Sequence, residues 1–181
     1  DGGRAMDPLE YGTLYDSLRR AEARWGDRAA YAVPPMAGRA YHPDGREYTW
    51  RETLERVEAM RERYAAAGYG LGHRVAILFA QRPEFFFHYY ALNALGCSVV
   101  PVNPDYRRDE IAYLMAHSEA CLALAIEERL GDFEALAHEA GSRFAVVSFD
   151  GPPARLPRAP TPAARGVPDG TTEAAEGQPA P

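Results

Sequence analysis

Residues 74–104, RVAILFAQRPEFFFHYYALNALGCSVVPVNP, constrain the fold more than any other part of the chain. From residue 85 to residue 104 no side chain carries a formal charge, a run long enough to be tested against a membrane-spanning helix. Its interior favours a different reading. His88, Asn93, Gly96 and Ser98 interrupt the run, Pro101 lies within it, and a β-rich piece, 98–102, follows the glycine. A buried helix running into a buried strand fits better, because parallel sheets covered on both faces produce continuous apolar runs. With the strand-like 75–79 ahead of it, the segment reads strand, helix, strand, which is one turn of a doubly wound α/β sheet.

The alternation continues. Helix 84–95 and strand 98–102 lead to a helix at 109–117, a strand at 121–125, a helix at 132–140 and a strand at 144–148. Four strands with helices between them imply a mostly parallel sheet joined by right-handed crossovers. Asp109 is the expected cap of the 109–117 helix, with Ile111, Leu114 and Met115 turned inward. Arg107 and Arg108 sit in the preceding loop, read as a solvated rim in preference to an anion contact. Upstream, TLYDSLRRAEARWGD places Leu14, Leu18 and Trp25 among charges, a surface helix with Gly26 as its stop. Strands at 29–33 and 46–49 flank the turn-rich PPMAGRAYHPDG, a hairpin with a long loop in which His42 reads as solvated. Thr49 and Glu52 form a capping-box pattern. Trp50, Leu54, Val57, Met60 or Arg61, and Tyr64 then follow at helical spacing, and Gly68 closes that helix. GYGLGHR imitates a dinucleotide fingerprint, but its glycines close a helix and open a strand, the reverse of the order a phosphate cradle needs.

At 181 residues the chain suits one domain with a sizeable core, since a body of roughly 150 residues buries about 70% of its unfolded surface. The net charge of −6 argues against nucleic acid and anionic membranes as partners. All 20 basic residues are arginine, so no lysine nucleophile or phosphate-gripping lysine is present in the sequence. Cys97 and Cys121 lie at the edges of apolar strands, where a thiol behaves as a small hydrophobe; with no CxxC pattern, a reducing cytoplasm is the expected location. DGGRA ahead of Met6 has neither the basic nor the apolar region of a signal peptide.

No GxSxG elbow, HExxH helix, HxxxH pair or distinctive carboxylate pair occurs. His73, His88, His117 and His138 fall at turns or on helices, and core or surface roles are favoured for each. No residue is therefore assigned a catalytic, cofactor-binding or metal-binding role. Residues 1–12 read as an N-terminal extension and 13–150 as the α/β unit. In 151–181, eight of 31 residues are proline and four glycine, the composition of a disordered connector. Its DGTTEAAEG echoes a Gly-Thr-Thr phosphate loop but lacks the strand before it and the lysine after it.

YTWRETLERV at 48–57 and LNALGCSVVPVNP at 92–104, with Arg82-Pro83-Glu84-Phe85 and His117-Ser118-Glu119-Ala120, closely resemble the N-terminal part of adenylate-forming enzymes, most nearly the fatty-acid and related acyl-CoA synthetases. The resemblance covers about residues 13–148. It implies an N-terminal subdomain of an AMP-binding enzyme that, when complete, uses ATP and Mg2+ to adenylate a carboxylate and then forms a thioester with CoA. The family's phosphate-binding, magnesium-associated and ribose-binding segments come later than the residues matched here. The expectation is therefore a chain from which the remainder of the catalytic domain is missing, inactive alone, with a self-standing scaffold or partner-binding module as the alternative.

Overall fold

The computed structural model describes residues 12–78, 81–141, 143–148 and 156–162. In chain order the elements are α1 (Leu14–Trp25), β1 (Ala29–Val33), β2 (Arg46–Thr49), α2 (Trp50–Ala67), β3 (Arg74–Leu78), α3 (Pro83–Ala94), β4 (Ser98–Val102), α4 (Arg108–Ser118), β5 (Leu122–Ala125), α5 (Leu130–Glu139) and β6 (Ala145–Ser148). β3 to β6 form a wholly parallel sheet in the order β4-β3-β5-β6, and β1 and β2 pair antiparallel as a separate hairpin.

Strand alternation divides the core in two. On β3 and β5, Val75, Ile77, Leu122 and Leu124 face one side, where they join Leu18 of α1, Val57 and Tyr64 of α2, and Phe85, Phe87, Ala91 and Leu92 of α3. Ala76, Leu78, Ala123 and Ala125 face the other, against Ile111 and Met115 of α4 and Phe133 and Leu136 of α5. Phe133 is fully buried, which for a side chain of this size contributes about 1.5–3 kcal/mol relative to exposure. Helices thus cover both faces, the doubly wound arrangement that the continuous apolar runs imply. The uncharged stretch from 85 resolves into α3, a turn at Gly96 and β4. Among the described residues no helix is long and apolar enough to cross a membrane.

Local chemistry sets the helix ends. The Thr49 hydroxyl accepts from the Glu52 N–H at 3.1 Å while Glu52 accepts from the Thr49 N–H at 3.0 Å, and Gly68 ends α2 at φ 93°, a conformation that favours glycine. α3 opens with Pro83, whose missing N–H is harmless at a first helical position.

Two expectations need correction. α4 begins at Arg108 after Arg107, not at a cap formed by Asp109, because the Glu110 carboxylate reaches back to the Arg107 N–H at 2.7 Å and fixes the start earlier. Within the expected disordered connector 151–181, residues 156–162 instead lie against the α/β body: Leu156 and Ala159 join the α1–α3 side of the core. The Ala159 N–H donates to the Ala67 carbonyl at 2.8 Å. That bond satisfies one of the carbonyls left over at the end of α2. The DGTTEAAEG stretch lies outside the described residues.

Candidate functional site

In parallel α/β sheets, ligand crevices form beyond the carboxyl ends of the strands, where successive connections turn in opposite directions. Here that point lies between β3 and β5, since β4 is added on one side of β3 and β5 on the other. A polar cluster joins the hairpin to the start of α3, the element that follows the carboxyl end of β3. Glu84 Oε1 accepts from His42 Nε2 at 2.7 Å and from the Tyr48 hydroxyl at 2.8 Å. The Tyr48 oxygen lies 3.2 Å from His42 Nε2. Burial alone would raise the Glu84 carboxyl, but bonds from His42, the α3 backbone and Tyr48 outweigh it and hold it below the ordinary glutamate value. Burial, with the Glu84 charge added, pushes the Tyr48 phenol up to about 12. The second carboxylate oxygen of Glu84 is buried without a hydrogen-bond partner in the structure.

Aromatic packing sets this cluster in place. Tyr31 of β1 stacks on Phe86 at 5.4 Å, and Tyr48 of β2 meets the edge of Phe87 at 5.2 Å. The hairpin is thereby pressed onto the first turn of α3. Guanidiniums surround the rings: Arg46 and Arg56 over Tyr48 at 4.9 and 5.0 Å, and Arg82 over Tyr41 at 4.7 Å. Arg39 fixes the loop by donating to the carbonyls of Pro34, Tyr41 and His42 at 2.6–2.8 Å. His42, expected as a solvated loop residue, is therefore part of a half-buried network, with only 25% of its side chain exposed. The sequence held a signal for this in the unsatisfied charge of Glu84 at the head of an otherwise apolar helix.

The other histidines do not converge on it. His88 is fully buried with Nδ1 2.8 Å from the Tyr64 hydroxyl, and desolvation lowers its pKa to about 4 against the opposing pull of the Glu84 charge. His117 stacks on Tyr113 on the surface of α4, and His138 is exposed on α5. His73 lies in the turn before β3. Arg107 and Arg108 are exposed, as a rim, and Arg108 pairs with Glu139. Burial pushes the Cys97 thiol up to about 12, which leaves it protonated and inert near neutrality.

A carboxylate shared by an imidazole and a phenol orients both rings, and among the described residues no serine, threonine or cysteine is bonded to them. At the opposite, amino end of the sheet, a cavity of about 370 Å3 between α4 and α5 is lined by Met115, Ala116, Leu136 and Phe144, with Glu119 and Arg143 at its rim. Among the described residues no group of three or more His, Cys, Asp or Glu is arranged to hold a metal. The described residues also do not fit an ATP triphosphate: glycines 68, 70 and 72 belong to a helix-ending turn, and the sequence supplies no lysine.

The family model for AMP-binding enzymes matches residues 18–179. The chain belongs to the AMP-binding enzyme family. Curated relatives include the crotonobetaine/carnitine–CoA ligase of Proteus mirabilis, 25% identical over 94 residues, covering 52% of this chain and 18% of that protein. The peroxisomal acetate/butyrate–CoA ligase of Arabidopsis thaliana is 29% identical over 102 residues, covering 56% and 18%. Among solved structures, a Rhodopseudomonas palustris protein described as a long-chain-fatty-acid CoA ligase superposes with a TM-score of 0.65 at 26% identity, over 86% of this chain and 38% of that one. The N-terminal domain of FACL13 from Mycobacterium tuberculosis matches in fold, with a TM-score of 0.65 at 18% identity, over 75% and 33%. The chain thus corresponds to the N-terminal region of the family, and its matched stretches cover under a fifth of the length of these curated relatives.

Proposed function

We propose that residues 13–150 are the N-terminal α/β subdomain of an AMP-dependent acyl-CoA synthetase, with 151–181 as the connector toward the ATP-binding segments. The complete enzyme would condense a carboxylate with ATP, releasing pyrophosphate, and pass the acyl group to CoA, releasing AMP. ATP, Mg2+, CoA and the carboxylate are then ligands of that complete enzyme, a cytoplasmic protein of fatty-acid metabolism. The observation that carries the reading is the family match over 18–179 in a chain with no lysine to hold ATP phosphates.

The chain alone is then a scaffold without activity. The test is carboxylate-dependent ATP–pyrophosphate exchange by the purified chain across short, medium and long fatty acids. No exchange above a no-carboxylate control is expected; exchange with any acid overturns the inactivity.

A second reading, a self-standing α/β module that binds a partner, is favoured by the burial of both sheet faces by the chain's own helices, helped by 156–162. It predicts a monodisperse chain with a single cooperative unfolding transition. Aggregation or a broad, molten transition speaks against it and for dependence on the rest of a synthetase.

A further inference from the structure

Residues 156–162, LPRAPTP, lie against the turn between α2 and β3 without regular secondary structure. Pro157, Pro160 and Pro162 have no N–H and cannot join a β-ladder. The segment is held by a few specific contacts. Leu156 and Ala159 touch the core, and the Ala159 N–H donates to the Ala67 carbonyl. His73 Nε2 lies 2.7 Å from the Pro160 carbonyl. That oxygen can only accept, so Nε2 carries the proton. Nδ1 of the same ring lies 3.0 Å from the Gly70 nitrogen and 3.1 Å from its oxygen, which ties the imidazole to the turn after α2. Gly72 lies against the segment at φ 91°, a conformation that favours glycine, and a Cβ there would come within 3.1 Å of Pro162 Cβ.

We propose that the turn at 68–73 is a docking site for an extended proline-rich segment, that residues 156–162 of the same chain are its occupant, and that they release and re-dock as one latch keyed by His73 Nε2. Among the described residues the segment is tied by the Ala159 and His73 hydrogen bonds and by packing of Leu156 and Ala159, without the ladder that holds a strand of the sheet, so the latch opens while the α/β body stays folded. This inference does not depend on the acyl-CoA synthetase reading.

Trypsin reads the latch directly at the Arg158–Ala159 bond, whose Ala159 amide is engaged when the segment is docked. Full-length chain is digested under native conditions, and cleavage at Arg158 is timed by mass spectrometry. Two substitutions separate the nitrogens of His73. Gln places its amide near Nε2 and can still donate to Pro160; Asn places it near Nδ1 and keeps only the contact to Gly70. H73N is expected to speed cleavage at Arg158 about tenfold, the effect of losing about one hydrogen bond, while H73Q stays within about threefold of the parent. Equal rates for the two variants, or protection by Asn rather than Gln, would overturn the role of Nε2.

Hydrogen exchange on the unsubstituted chain provides a test that does not require either variant to fold. The Ala159 amide is expected to exchange through an opening at least about tenfold more frequent than that of the Ala76 amide in β3. Matching rates mean that the segment opens only with the whole body and overturn the latch. A concentration-dependent dimer whose Arg158 protection is lost on dilution would place the segment on a second copy and overturn the assignment to the same chain.

Discussion

At the carboxyl end of the sheet His42 faces a carboxylate held in its ionised form, with a phenol on the same oxygen and guanidiniums on the neighbouring rings. Toward the amino end, His73 meets the Pro160 carbonyl and His88 the Tyr64 hydroxyl, with the Glu84 charge also acting on the buried His88 ring. The cluster at the start of α3 thus gathers charge around one carboxylate, whereas the hydrogen bonds of His73 and His88 fasten one part of the body to another. The contrast between the two clusters can be tested group by group.

The largest effect is expected from pH. His88 has its folded-state pKa lowered to about 4, against about 6.5 for a free histidine, so between those values the unfolded chain binds the extra proton. Stability contributed by the neutral ring is full above about pH 6.5 and is lost as pH falls toward 4, about 2 kcal/mol of it by pH 5. Glu84 works in a different window. Its lowered pKa gives stability that is present above the ordinary glutamate value and lost as pH falls through the lower folded value. Urea midpoints taken from pH 7.5 to 4 should therefore fall in the parent chain. In H88L the fall between 6.5 and 4.5 should flatten; an unchanged slope would show that His88 is not the neutral group described.

Glu84→Ala removes the acceptor shared by His42 and Tyr48 and should lower unfolding stability by about 2 kcal/mol, since hydrogen bonds to a charged group are the stronger kind. The accompanying readout is the hairpin: amides of β1 and β2 should lose protection before those of β3. Tyr64→Phe removes one neutral bond, to His88 Nδ1, and should cost about 1 kcal/mol in the same assay. If Tyr64→Phe costs more than Glu84→Ala, the contrast between the two ends is reversed. Arg46→Ala takes away a rim cation whose side chain is 41% exposed and whose partner Glu52 is 40% exposed. A change under about 0.5 kcal/mol is expected; a larger one would move the arginine rim from the surface of the cluster into its structure.

Elements that repeat a local rule were legible from the residues. Thr49 and Glu52 announced the start of α2 and Gly68 its end, because capping geometry is complete within a few residues. Residues 74–104 gave β3, α3 and β4 because strands buried on both faces leave an uninterrupted apolar text. What escaped depends on distant partners. His42 looks like a loop residue until a segment 42 positions later brings Glu84 to it. Proline-rich 156–162 has the composition of a free tail, and its docking rests on His73, 87 residues from Pro160 in sequence. At Asp109 the error was local: two acidic residues within reach of one helix start compete to cap it, and Glu110 prevails.

This chain carries the α/β scaffold of the N-terminal region of an AMP-binding enzyme, and under the proposed function it binds no ATP alone. Calorimetric titration of the purified chain with Mg·ATP tests it most directly. The account predicts no saturable heat up to about 1 mM nucleotide, the range in which binding is worth only about 4 kcal/mol; saturable binding with a micromolar Kd would contradict it and place a phosphate site among residues described here as scaffold.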